Sequence, residues 1–149
     1  KNVEFHVTSG SDLSCLSSES VDLVFSYAVL QHNSAMVVYG YLKEVFRILK
    51  PFGMIRFQVI EYGRLFGLCI RRLLSGNLRC AAGHFLHMFV RGDDSVVVFP
   101  NGPLGKTYRK SELETKLTEI GFSDVTFRDC DRMRGGIWVT CRKGSTSLV

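Results

Sequence analysis

The chain has 149 residues, 46% of them hydrophobic and 22% charged, with a formal net charge of +5. These proportions suit one ordinary globular domain and exclude a disordered tail, a collagen-like repeat and a disulfide mini-protein. Residue 1 is Lys, so the chain reads as a processed form or a piece of something longer.

Residues 1–7 alternate, with Val3, Phe5 and Val7 on one side, and predict a first strand. Residues 8–20 are rich in Ser and Gly and read as a loop pinned by Leu13 and Leu16. The run VDLVFSY at 21–27 is almost continuously apolar, as expected of a parallel strand buried on both faces. From Ser34 to Lys50 the period becomes helical, with Val38, Leu42, Val45 and Leu49 on one stripe. Pro51 ends that helix, because it disfavours helical backbone at the residue before it. MIRFQVI at 54–60 is the next strand.

Residues 62–106 form an insertion. Leu65, Phe66, Cys69, Ile70 and Leu73 make a helical stripe, and scattered Gly and Pro break the rest. Residues 62–92 hold five arginines (64, 71, 72, 79 and 91) and no acid, so this segment attracts anionic partners. The arginine-bearing stripe suits either a membrane surface or a lid over a site. Cys80, His84 and His87 share one helical face in a zinc-like spacing, but no fourth ligand accompanies them, and no metal site is assigned.

Ser111 with Glu114 spells a capping box, followed by the buried stripe Leu113, Leu117 and Ile120. Gly121 is placed as a left-handed cap. Val125 and Phe127, then Ile137, Val139 and Cys141, alternate in two strands joined by a turn at 132–136. Strands alternating with helices predict an α/β parallel sheet with right-handed crossovers, and the last two strands predict an antiparallel pair. The five cysteines are scattered without a C-x-x-C pair, which fits a reducing cytoplasm. No apolar run approaches the roughly 18 residues of a membrane span, and no signal peptide opens the chain.

Three segments carry a family pattern: DLSCL at 12–16, VDLVFSYAVLQH at 21–32 and YLKEVFRILKPFG at 41–53. With the S-E-L…G-F helix and the two closing strands, they resemble the class I S-adenosylmethionine-dependent methyltransferases, of the type 11 kind. The resemblance covers residues 2–60 and 107–143. It implies a Rossmann-like methyltransferase sheet, mostly parallel with an antiparallel C-terminal pair, in a single domain with a basic insertion at 62–106. It also implies methyl transfer from S-adenosylmethionine to a small-molecule acceptor.

The chain departs from the family in two ways. No G-x-G occurs, and the ribose-binding acid is missing; in the family layout both precede residue 1, so the domain reads as lacking its N-terminal part. Phe52 replaces the first Gly of P-G-G, where a type II turn wants positive φ, so a different turn is expected.

The resemblance assigns Asp12 to the adenine amino group and Leu13, through its N–H, to the adenine ring. It puts Ser26 and Tyr27 near the methionine part of the cofactor, and Gln31 and His32 beside the transferred methyl, with His32 as the candidate base. Plainer readings stand beside these. Asp12 suits an Asx-turn, Ser26 a packed strand and His32 a helix start; Gln58 on the strand after Pro51 reads either as facing the cleft or, more plainly, as a strand polar residue. An anionic acceptor suits the basic insertion. Without the family's central strand, the apolar surface around Val24 needs another partner, so a homodimer is one expectation. The alternative function is a truncated, non-catalytic relative that binds through the insertion.

Overall fold

The computed structural model describes residues 3–8, 10, 12–75, 97–99, 102–104, 107–130 and 135–144. Strand β1 (Val21–Ser26) leads through a 3-10 turn (Leu30–His32) into helix α1 (Ala35–Ile48) and strand β2 (Leu49–Glu61). Helix α2 (Tyr62–Leu74) and the short hairpin β3 (Val97–Phe99) and β4 (Gly102–Leu104) follow. Then come β5 (Thr107–Tyr108), helix α3 (Lys110–Ile120), β6 (Phe122–Asp129) and β7 (Gly136–Lys143).

The main sheet runs β1-β2-β7-β6. β1 and β2 are parallel, with Val24 opposite Ile55 and Ser26 opposite Phe57. β7 is antiparallel to β6, as the sequence predicts, and also to β2. β5, absent from the sequence reading, adds two parallel residues to the end of β2.

The apolar stripe of α1 and that of α3 cover one face of the sheet. Val38, Leu42 and Val45 meet Leu113 and Leu117 over Ile55, Phe57 and Val59 of β2 and Val139 and Cys141 of β7. Burial of each such side chain contributes on the order of 1.5–3 kcal/mol. Lys143 is buried at the end of β7, and its Nζ donates to the Leu49 carbonyl (2.9 Å) and to Glu19 Oε1 (3.1 Å). Those partners are what make a buried ammonium tolerable.

Three expectations are corrected. Residues 3–8 form no strand, and Val3, Phe5 and Val7 are exposed; alternation alone does not make a strand, which also needs a ladder partner, and among the described residues none pairs with this segment. The capping box does not form. The N-cap of α3 is Arg109, two residues earlier than a cap at Ser111 would require, and no side chain caps it. The third concerns the turn after Pro51. Phe52 keeps the positive φ (+64°) that the family's glycine would supply, so the turn is retained on a non-glycine residue.

Gly121 behaves as expected: φ is +114°, and its N–H donates to the carbonyls of Leu117 and Thr118. A Cβ there would lie 2.7 Å from Phe46 Cζ, so glycine is required by both backbone and packing. Phe122 folds onto α1, edge-on to Phe46 at 5.1 Å.

Candidate functional site

Two charged residues of α1 hold the loop that precedes β1. Glu44 Oε2 accepts the Leu13 N–H at 3.1 Å and the Arg47 guanidinium at 2.8 Å. Arg47 also donates to the carbonyls of Leu13 (3.0 Å) and Leu16 (3.1 Å) and to Ser18 Oγ (3.2 Å). The Arg47 hydrogen bond, helped by the Leu13 N–H, holds the Glu44 carboxyl below its ordinary pKa. Glu44 in turn raises Arg47. Asp12 Oδ1 accepts both the N–H (3.0 Å) and the hydroxyl (2.6 Å) of Ser14, which is an Asx-turn. The two polar groups that the resemblance gives to adenine, Asp12 Oδ1 and the Leu13 N–H, therefore have partners within the protein.

The strapped loop forms one wall of a cleft of about 420 Å³ on the α1 side of the sheet. Leu13, Val24, Ser26, Val29, Leu30 and Asn33 line it, with Tyr41, Leu42 and Val45 of α1 behind. It lies where β1 ends, the place at which open parallel sheets bind ligands. Its size is that of a small-molecule site, and its lining is mostly apolar with Ser26 and Asn33 as polar points. Of the expected site residues, the fold brings Leu13 and Ser26 into this cleft.

The others lie around it. Tyr27 turns to the opposite face of the sheet and stacks on Trp138, ring centroids 5.5 Å apart. There it joins Phe25, Arg56, Arg128 and Asp129 around a second hollow of about 470 Å³. Gln31 is buried in the 3-10 turn, 2% exposed, and its Nε2 lies 3.0 Å from Nε2 of exposed His32. Gln31 Oε1 is buried without a hydrogen-bond partner. An orphaned amide oxygen of this kind costs about 1–3 kcal/mol. Such groups call for an explanation, and a functional role is one of the few available.

Two sets of partners are visible only in the structure. Gln58 is fully buried, and its Oε1 accepts the Ala28 N–H at 3.2 Å. Glu61 caps α2, accepting the N–H groups of Gly63 (3.1 Å) and Arg64 (2.9 Å), while Arg64 pairs with Asp129. The arginine-bearing stripe does lie on a helix, α2, on which Ile70 and Leu74 are partly or largely exposed. Among the described residues no cluster of ligating side chains could hold a metal, and no helix is long and apolar enough to cross a membrane. Cys80, His84 and His87 lie outside the described residues, as do Arg79 and Arg91.

A family model described as a methyltransferase domain matches residues 1–57. No curated protein matches the sequence. Solved structures do. An S-adenosylmethionine-dependent methyltransferase from Methanosarcina mazei shares 20% identity at a TM-score of 0.65, over 95% of this chain and 68% of that one. DhpI in complex with SAH shares 20% at 0.55, over 96% and 56%. The 1,6-didemethyltoxoflavin-N1-methyltransferase of Burkholderia thailandensis, with 1,6-didemethyltoxoflavin and S-adenosylhomocysteine bound, shares 16% at 0.55, over 91% and 48%. The chain thus spans from about half to about two thirds of the length of these relatives. Its fold is that of the Rossmann-like, class I methyltransferases, and its first 57 residues carry the methyltransferase-domain signature.

Proposed function

We propose that this chain supplies the cofactor cleft of an S-adenosylmethionine-dependent methyltransferase acting on a small molecule. The observation that carries the reading is the cleft of about 420 Å³ at the end of β1, where Leu13, Ser26, Val29 and Leu30 converge. Its size and apolar walls fit an adenosine-like ligand. The small molecule bound to the Burkholderia enzyme supports a small acceptor here too. The basic insertion over 62–106 favours an acceptor with an anionic part, within a single domain. The described cysteines Cys15, Cys130 and Cys141 are free, in keeping with a cytoplasmic setting.

The bound cofactor supplies a methyl group already activated on a sulfonium. What falls to the protein is alignment and exclusion of water. In this reading Leu13 and Asp12 flank the adenine, Ser26 and the corner at Tyr27 hold the methionine end, and Gln31 and His32 border the methyl. A base is needed only when the acceptor must lose a proton. His32 serves as that base through Nε2 once the Gln31 amide, which donates to that nitrogen, gives way.

The test is a titration of the chain with S-adenosylhomocysteine followed by amide chemical shifts. No G-x-G loop is present to bring backbone donors to the cofactor, so binding is expected to be weak, well short of micromolar. The shifts should centre on Leu13, Ser26, Val29 and Leu30. Asp12→Ala should weaken binding about tenfold if the carboxylate reaches adenine. No response, or shifts confined to other surfaces, overturns the reading.

A further inference from the structure

At the end of β1 the chain turns a corner with an unusual backbone. Ser26 is the last residue of the β1–β2 ladder, opposite Phe57. Two residues on, Ala28 has φ of +56°, in the left-handed region that residues with a Cβ seldom occupy. Its N–H donates to Oε1 of Gln58, one position beyond Phe57 on β2, at 3.2 Å. Gln58 is fully buried. An amide side chain thus accepts from a backbone donor just past the point where the ladder stops. It continues the ladder around a bend that a strand backbone cannot follow.

The bend matters because of what stands on either side of it. Ser26 before it and Val29 and Leu30 after it line the cleft. Tyr27 within it goes to the other face, stacked on Trp138. A corner that relaxed to negative φ at Ala28 would swing Val29 and Leu30 relative to Ser26.

We infer that Gln58 is a positioning residue for the cofactor cleft: by holding the Ala28 N–H it fixes the left-handed corner that sets Ser26 against Val29 and Leu30. The inference rests on the methyltransferase reading for the ligand but on the corner alone for the geometry. Backbone strain that persists only because its surroundings over-determine it is typical of ligand sites.

The experiment compares the full chain with Gln58→Met, Ala28→Gly and the double variant. Met fills the buried volume but accepts no hydrogen bond of comparable strength. Two readouts are taken: hydrogen exchange of the residue 28 amide, and the S-adenosylhomocysteine titration. In the wild type the amide should be protected, and in Gln58→Met protection should fall at least about tenfold, with cofactor affinity falling by a similar factor. Ala28→Gly alone removes the strain while keeping the lock, so it should bind within about twofold of wild type.

The double variant is decisive, and it keeps the test alive should Gln58→Met alone not fold. Glycine accepts the positive φ, so stability should return, while the amide stays unprotected and binding stays weak. Recovery of both stability and binding in the double variant would mean that Gln58 merely offsets strain, and would overturn the inference. So would an unprotected amide at residue 28 in the wild type. If the wild type does not respond to the cofactor at all, the cofactor reading fails, and the exchange data still decide the role of the corner.

Discussion

Phe52 is where sequence and structure disagree most instructively. A bulky residue at the third position of the turn over 50–53 argues against positive φ, yet φ is +64°. The neighbours decide it. Pro51 presets the position before, and a Cβ on Gly53 would sit 2.8 Å from the Lys50 carbonyl oxygen and 3.2 Å from that of Asp22. The turn is fixed by that close approach, and Phe52 takes the conformation left over. Phe52 is 66% exposed and contributes little burial. Phe52→Gly should therefore raise stability by about 0.5–1 kcal/mol, as relief of about 1–2 kcal/mol of left-handed strain outweighs the greater freedom of glycine in the unfolded chain. Urea unfolding measures this, and a loss of stability would mean that the Phe52 ring packs in solution. Asp12 was less decidable from sequence. A carboxylate two residues before a serine fits an Asx-turn and an adenine contact equally, and only the bonds to Ser14 show that the turn forms.

Among the elements, α1 had a legible apolar face and an illegible polar one. Val38, Leu42 and Val45 declare themselves by spacing. Glu44 and Arg47 lie off that stripe, three apart; their partners Leu13, Leu16 and Ser18 lie about 30 residues earlier, where no periodicity points. The same limit explains the strand expected at 1–7 and the capping box at Ser111: both are local signals, and the backbone answers to partners outside them. The clamp has a consequence in acid. Glu44 titrates below its ordinary 4.5 in the folded protein, so its contribution is present above that value and is lost as pH falls below it, through the folded pKa. Arg47 is raised and stays charged throughout. The Leu13 amide should lose exchange protection in that window, ahead of global unfolding, while the Ala28 amide keeps it. Glu44→Gln leaves an acceptor for Leu13 and removes the titration, so its acid step should vanish. An acid step that survives in Glu44→Gln would assign the clamp to another group.

At the scale of the whole molecule, the order of strands and helices was readable because each alternation of period marks a change of element, and the antiparallel end followed from a short connection. What the order could not show is that the two faces are covered unequally near β1. α1 and α3 lie on the face of Val24, Ile55 and Val139. On the other face Leu23 is 53% exposed, Phe25 61% and Tyr27 41%, beside Trp138 with the Arg56 guanidinium 4.6 Å from its ring centroid. β1 also has the apolar composition of a central strand while pairing, among the described residues, along one edge only, a combination that invites association. The chain should therefore self-associate in solution as its concentration rises, with Phe25 at the contact. Sedimentation of the wild type and of Phe25→Lys separates this from its rivals. Phe25 is mostly exposed, so the substitution should change stability by no more than about 0.5 kcal/mol, and a lower mass would reflect a lost contact rather than a lost fold. Salt distinguishes the forces: association through this apolar face should hold or strengthen as salt rises, whereas association through the arginines of the insertion should weaken as screening sets in. A wild type that stays monomeric at high concentration, or a Phe25→Lys variant that associates as before, would leave the face without a role in assembly.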